Sequence, residues 1–166
     1  VNIPAIDIMR SERRWPTTAK LRKLLTRAIS AAASEAGLAW PEAAELSCVF
    51  TNDAEMTKIN GQWRSKNQPT NILSFPGSAM APGMEAGPMI GDLVLAFETV
   101  EREAGEQGKT FDDHLTHLLV HGFLHLFGYD HVKSDEAARM EQIEIRILYQ
   151  MGITNPYENI VPENCF

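Results

Sequence analysis

From Thr17 to Gly37 apolar residues recur at every third and fourth position (Leu21, Leu24, Leu25, Ala28, Ile29 and Ala32), which predicts an amphipathic helix capped by Thr17 or Thr18 and stopped by Gly37. Before it, residues 3–9 alternate loosely enough for a first strand. Residues 44–51 predict a second strand, and Asn52 or Asp53 then caps a short helix that Gly61 is expected to end. A polar stretch follows over 62–69, and residues 70–75 predict a third strand that Pro76 and Gly77 close. Residues 77–89 are rich in Gly and Pro among small side chains, the composition of a flexible loop. A fourth strand is predicted over 91–96 and a charged helix over 98–106, ending near Gly108. Residues 111–127 are apolar around most of the helical circumference, as expected of a helix at the centre of a core. Ser134, with Asp135 and Glu136 behind it, opens a last helix whose Met140, Ile143, Ile147 and Leu148 face inward until Gly152.

Strands and helices that mix without strict alternation indicate an α+β class: a small mixed sheet of about four strands packed against several helices. At 166 residues the chain is expected to form a single domain spanning 1–166, interrupted by the loop at about 77–89. No apolar run approaches the length of a membrane span and no signal pattern opens the chain, so a soluble intracellular protein without a membrane partner is expected. Cys48 lies in an apolar run and reads as a core residue, whereas Cys165 reads as a tail thiol without evident role.

The net charge of -7 argues against nonspecific wrapping of nucleic acid, which needs Lys and Arg in excess. Any anionic substrate must therefore be gathered by local charge. The clusters available are Arg10, Arg13 and Arg14, then Lys20, Arg22, Lys23 and Arg27, then Arg64 and Lys66. The first two groups read as solvated faces.

The chemistry concentrates in residues 121–131, His-Gly-Phe-Leu-His-Leu-Phe-Gly-Tyr-Asp-His. On a helix His121 and His125 stand about 6 Å apart along the axis and roughly 40° apart around it, on one face. Gly128 is the residue type that ends a helix in a left-handed conformation, and the reversed chain would bring His131 to the same point. Three imidazoles with an open fourth position are the pattern of a catalytic zinc site, here on the central helix and the turn after it. The spacing is that of the metzincin proteases, except that Gly122 stands where those enzymes carry a glutamate base. A glycine there is expected to leave room beside the metal and to remove a charge that would repel an anionic substrate.

The motif His-Gly-x-Leu-His-Leu-x-Gly-Tyr-Asp-His resembles that of the YbeY family of metal-dependent endoribonucleases, implicated in maturation and quality control of ribosomal RNA. Ile59-Asn60 with Trp63-Arg64, Pro69 to Pro76, Gly91 to Val94, Met140-Glu141, Ile147-Leu148 and Asn155 to Tyr157 extend the resemblance from about residue 45 to 157. Asn71 departs from it, standing where the family more often has Asp. The resemblance implies a hydrolase that cuts single-stranded RNA, acting in small-subunit rRNA 3′-end maturation and ribosome quality control in the cytoplasm. It implies one divalent metal ion, with zinc expected, and ribosomal RNA precursors, the ribosome or ribosome-associated proteins as partners. The imidazole set by itself also accepts nickel or copper.

Cleaving a phosphodiester develops negative charge on its nonbridging oxygens, and a guanidinium binds two of them at once. Arg64, functional in the family by resemblance, is thus a candidate catalytic residue beside His121, and Lys66 a candidate for substrate attraction. His114 and His117 share the face of His121. His117 is a candidate for supporting the ligands or facing substrate, and His114 reads as structural. Asp130 is placed to orient an imidazole nitrogen or to serve the turn, and Tyr129 to pack. With no glutamate beside the metal, the attacking oxygen is either activated water or the RNA's own 2′-hydroxyl. Two other readings stand: a zinc hydrolase of another class such as a metzincin-like peptidase, and a zinc-stabilised ribosome-binding module that cuts nothing.

Overall fold

The computed structural model describes residues 2–157, so Cys165 lies outside the described residues. Its elements run β1 (Ala5–Arg10), α1 (Thr18–Ala36), β2 (Glu45–Thr51), α2 (Asp53–Arg64), β3 (Ile72–Pro76), β4 (Met89–Ala96), α3 (Phe97–Glu106), α4 (Phe111–Leu126) and α5 (Ser134–Gln150). The four strands form one sheet in the order β1-β2-β4-β3, with β3 antiparallel to β4 and the other pairs parallel. The expected α+β class with a mixed four-stranded sheet is the one observed.

Strand side chains alternate between faces, and the alternation builds two cores. Leu46, Cys48, Phe50, Ile72, Leu93 and Leu95 pack with α1, α4 and α5. Leu73, Val94 and Ala96, with Val49 and Phe75, meet Met56 and Ile59 of α2 in a second, smaller cluster. α4 and α2 therefore lie over opposite faces, and the edge strand β3 runs between them. Burial pushes the Cys48 thiol up to about 12, so it stays a neutral packing group.

The helix ends follow the sequence with one correction. The Thr17 hydroxyl accepts from the Lys20 amide at 3.2 Å, and Gly37 stops α1 in the left-handed conformation. Asn52 caps α2, but Gly61 does not end it. The helix runs to Arg64 and closes on Ser65 in the left-handed region (φ 55°), with the Lys66 amide donating to the Asn60 carbonyl at 3.2 Å. Gly61 instead admits Asn67, whose Oδ1 would stand 2.6 Å from an added Cβ. Arg64 consequently occupies the last turn of a helix, with its backbone fixed, and not a polar loop.

β4 begins two residues earlier than expected because Met89 pairs with Glu45, after which the register skips to Leu46 opposite Gly91. The extra residue makes a bulge. Gly91 has φ 149°, and a Cβ there would lie 2.4 Å from the Phe75 carbonyl oxygen. The connection between β3 and β4 is anchored at three points: the Ala86 amide donates to the Ala39 carbonyl at 2.9 Å, the Pro88 carbonyl accepts from the Glu45 amide at 2.8 Å, and Met80 and Ala81 lie against Gly128.

Candidate metal centre

α4 is buried continuously from His114 to Leu124. A buried helix holding four histidines is tolerable only if each imidazole has a polar neighbour, and the neighbours come from four other segments. His114 Nε2 lies 2.9 Å from Glu103 of α3, which also accepts from the Asn71 amide at 3.1 Å. His117 is fully buried, with Nε2 3.3 Å from the Tyr157 hydroxyl and 3.7 Å from Glu144 of α5. His121 Nδ1–H donates to the other oxygen of Glu144. His125 Nδ1–H donates to the Tyr129 carbonyl at 2.7 Å.

The turn after α4 is a paired C-cap. The Tyr129 amide reaches the Leu124 carbonyl at 3.3 Å and the Gly128 amide the His125 carbonyl at 3.0 Å, with Gly128 at φ 90°. A side chain at Gly128 would strike Met80, whose carbonyl oxygen lies 2.6 Å from an added Cβ. Reversal here sets the His131 ring 5.6 Å from that of His121 and 5.1 Å from that of His125. Each of the three then brings a ring nitrogen to within 4.8 Å of the other two.

The residues fit a metal ion. With both Nδ1 atoms donating, the Nε2 atoms of His121 and His125 face each other at 2.9 Å. A proton shared between them would require one imidazolium. Burial, reinforced by the neighbouring His121 and His131 rings, pushes His125 down to about 4, so it is neutral at pH 7. The neutral His125 therefore turns the lone pair of its Nε2 toward the His121 ring, where it can ligate a cation. His131 is 41 % exposed and Asp130 and Val132 are exposed, which leaves the centre open on that side.

A second group, His117, His121 and Glu144, also gathers within 4.8 Å. It is wholly buried, and within it His121 Nδ1 already donates to Glu144. These three read as the support of the first group. Burial by itself raises the Glu144 carboxyl, but the charge of His121 and hydrogen bonds from His117 and His121 outweigh it and hold the group well below the usual carboxylate range. Tyr157 donates to the same carboxylate.

The remaining candidates divide. Arg64 is exposed, donates to the Ser74 carbonyl at 3.2 Å and sits 5.6 Å above the Phe75 ring. Ser74 Oγ in turn donates to the Gly122 carbonyl at 3.1 Å, one residue from His121. Arg64 thus covers the free edge of β3 beside the histidines. Lys66 is exposed just beyond it. His117, expected to support the ligands or face substrate, faces the interior. Asp130 accepts the His131 amide at 2.7 Å and stands 4.0 Å from His131 Nδ1, too far for a hydrogen bond, so it serves the turn. The expectation for Gly122 is corrected: an added Cβ would meet Ile72 at 2.5 Å, Leu93 at 3.1 Å and Ser74 at 3.2 Å. The missing side chain makes room for the sheet and not for substrate.

Glu144 was missed in the sequence, though a signal existed. It sits on the inward stripe of α5 with Met140, Ile143, Ile147 and Leu148, and a carboxylate there needs a buried partner. The arginines near the start, by contrast, are tied into the fold. Arg10 donates to the Arg13, Trp15 and Pro16 carbonyls, and Arg14 pairs with Glu12 and Glu98.

Fold and site together define a class: an α+β protein with a candidate three-histidine metal centre beside an arginine on an open sheet edge. The chain belongs to the YbeY family, since the family model described as Endoribonuclease YbeY matches residues 7–152. Endoribonuclease YbeY of Allorhizobium ampelinum is 53% identical over 152 residues, covering 89% of this chain and 91% of that protein. Those of Sinorhizobium fredii and Rhizobium meliloti are 49% and 51% identical, covering 92% and 89% of this chain and 92% and 91% of their own lengths. The solution structure of TM1509 from Thermotoga maritima shares the fold, with TM-score 0.54 at 23% identity over 96% of this chain and 99% of that one.

Proposed function

We propose that the protein is a metal-dependent endoribonuclease that cuts single-stranded RNA in ribosomal RNA processing, including 3′-end maturation of small-subunit rRNA, and in ribosome quality control in the cytoplasm. The observation that carries this reading is the convergence of three imidazoles on a side open to solvent, with Arg64 linked through Ser74 to Gly122 beside His121, in a chain of this family. His121, His125 and His131 would hold one divalent ion, with zinc expected. When bound, that ion supplies Lewis acidity toward a phosphoryl oxygen or water.

The chain's own groups do the rest. Glu144 and the Tyr129 carbonyl fix the tautomers of His121 and His125, so both present Nε2 to the centre. Arg64 spends one of its five N–H donors on Ser74 and keeps others for the nonbridging oxygens of the scissile phosphate. Lys66 adds local attraction to an otherwise acidic molecule. Glu144 is not the general base, because it is fully buried and both its oxygens are engaged.

Two observations weigh against the other readings. Position 122 holds no carboxylate, and a side chain there would press on Ile72, Leu93 and Ser74, which removes the peptidase base. Among the described residues no fourth His, Cys, Asp or Glu joins the three-histidine group, whereas a purely structural zinc site is closed by four ligands. Metal-loaded protein should cut labelled single-stranded RNA and spare both an RNA duplex and an unstructured peptide. A chelator should stop the reaction and restored metal should revive it. Cleavage of the peptide, or of RNA with undiminished rate in chelator, would overturn the reading.

A further inference from the structure

We infer that the Trp63 indole is a stacking platform for an unpaired base of the RNA, next to the phosphate held by Arg64; this rests on the reading of the protein as an RNA-cleaving enzyme. Of the three tryptophans, Trp15 and Trp40 are 1 % and 9 % exposed and pack inside the main core, whereas Trp63 is 66 % exposed. A large aromatic left in water at the end of a helix adds little to stability. It is also well placed. Trp63 meets Phe75 edge-on with ring centroids 6.4 Å apart, and Phe75 also carries the Arg64 guanidinium on its ring. Phe75 thereby fixes the indole and the cation side by side, and the contacts from Arg64 through Ser74 to Gly122 continue that line to His121.

The ligand class follows from charge and shape. An exposed indole bordered by Arg64 and Lys66 suits a flat apolar group attached to an anion, and a nucleotide is both. A net charge of -7 denies the protein the general electrostatic grip used by basic nucleases. Stacking supplies affinity that does not depend on net charge, and every base offers a face for it. In a duplex those faces are already stacked. An indole that must be covered by a base therefore selects unpaired RNA, which makes Trp63 a specificity-determining residue.

Because Trp15 and Trp40 are buried, tryptophan fluorescence reports mainly on Trp63 when ligand is added. Stopped-flow mixing of the metal-loaded enzyme with oligoadenylate should quench emission before turnover. An oligonucleotide of the same length lacking bases, or a blunt RNA duplex, should leave it nearly unchanged. Trp63→Phe should abolish the quench and keep cleavage within about threefold. Trp63→Ala should raise KM for single-stranded RNA about tenfold and narrow the preference over duplex, with kcat, metal content and Tm little altered. Absence of quenching by oligoadenylate, or a KM unchanged in Trp63→Ala, overturns the platform while leaving the nuclease reading intact if the parent protein still cuts RNA. A parent protein that neither binds nor cuts RNA overturns both.

Discussion

The two halves of the site are built in opposite ways. The histidine half is contiguous in sequence, spans eleven residues from His121 to His131, and is held from beneath by Glu144 and by a carbonyl of its own turn. The arginine half comes from the far face of the sheet. It is exposed and rests on one carbonyl and one aromatic ring of an edge strand. A ligand set for a small ion gains from being rigid before the ion arrives, because every ångström of looseness costs affinity. A group that grips a moving, anionic substrate must stay in water until the substrate displaces it. Burial belongs to the first task and exposure to the second.

If that division is right, the largest effects come from the histidines. His121→Ala or His125→Ala should lower bound metal well below one equivalent and abolish cleavage, while folded His114→Ala retains about one equivalent, as elemental analysis would show. Full metal occupancy in the His121→Ala/His125→Ala double variant would refute the centre as described. Next, Arg64→Ala should lose about 2 to 4 kcal/mol of transition-state stabilisation, with Tm and metal content nearly unchanged. An unaltered cleavage rate would remove Arg64 from the mechanism and leave the two halves unrelated.

Glu144→Gln tests whether the buried support matters separately from the ligands. It preserves shape but removes the anion that receives the His121 proton, and metal affinity should fall about 10- to 100-fold, read by competition with a chromophoric chelator. Affinity equal to that of the parent would mean that His121 needs no orientation. The smallest effect is expected from Gly122→Ala. Overpacking against Ile72 and Leu93 costs about 1 to 3 kcal/mol, partly offset by about 1 kcal/mol of helix propensity. Stability should drop by the difference, with kcat within threefold of the parent. A fall in kcat with unchanged Tm would return Gly122 to the substrate side of the site.

Local signals proved reliable where one segment closes on itself. Thr17, Gly37, Asn52 and Gly128 mark their helix ends because the capping groups lie within a few residues of the amides and carbonyls they satisfy. Gly61 misled because a glycine in a helix can serve a neighbour's approach as well as a stop, and the neighbour, Asn67, is visible only once the chain has turned. Gly122 misled for the same reason.

By itself the sequence determined the helices and strands to within a few residues, the α+β class and the grouping of His121, His125 and His131, since four-residue spacing and a left-handed glycine act over one turn of chain. Only the tertiary structure decided that α2 and α4 lie on opposite faces with β3 between them, that Arg64 crosses that edge to reach Ser74, and that Glu144 stands under His121. Those contacts join residues 10, 23 or 48 positions apart. Their geometry comes from how the sheet alternates and how the helices pack upon it, and no periodicity within a single segment encodes it.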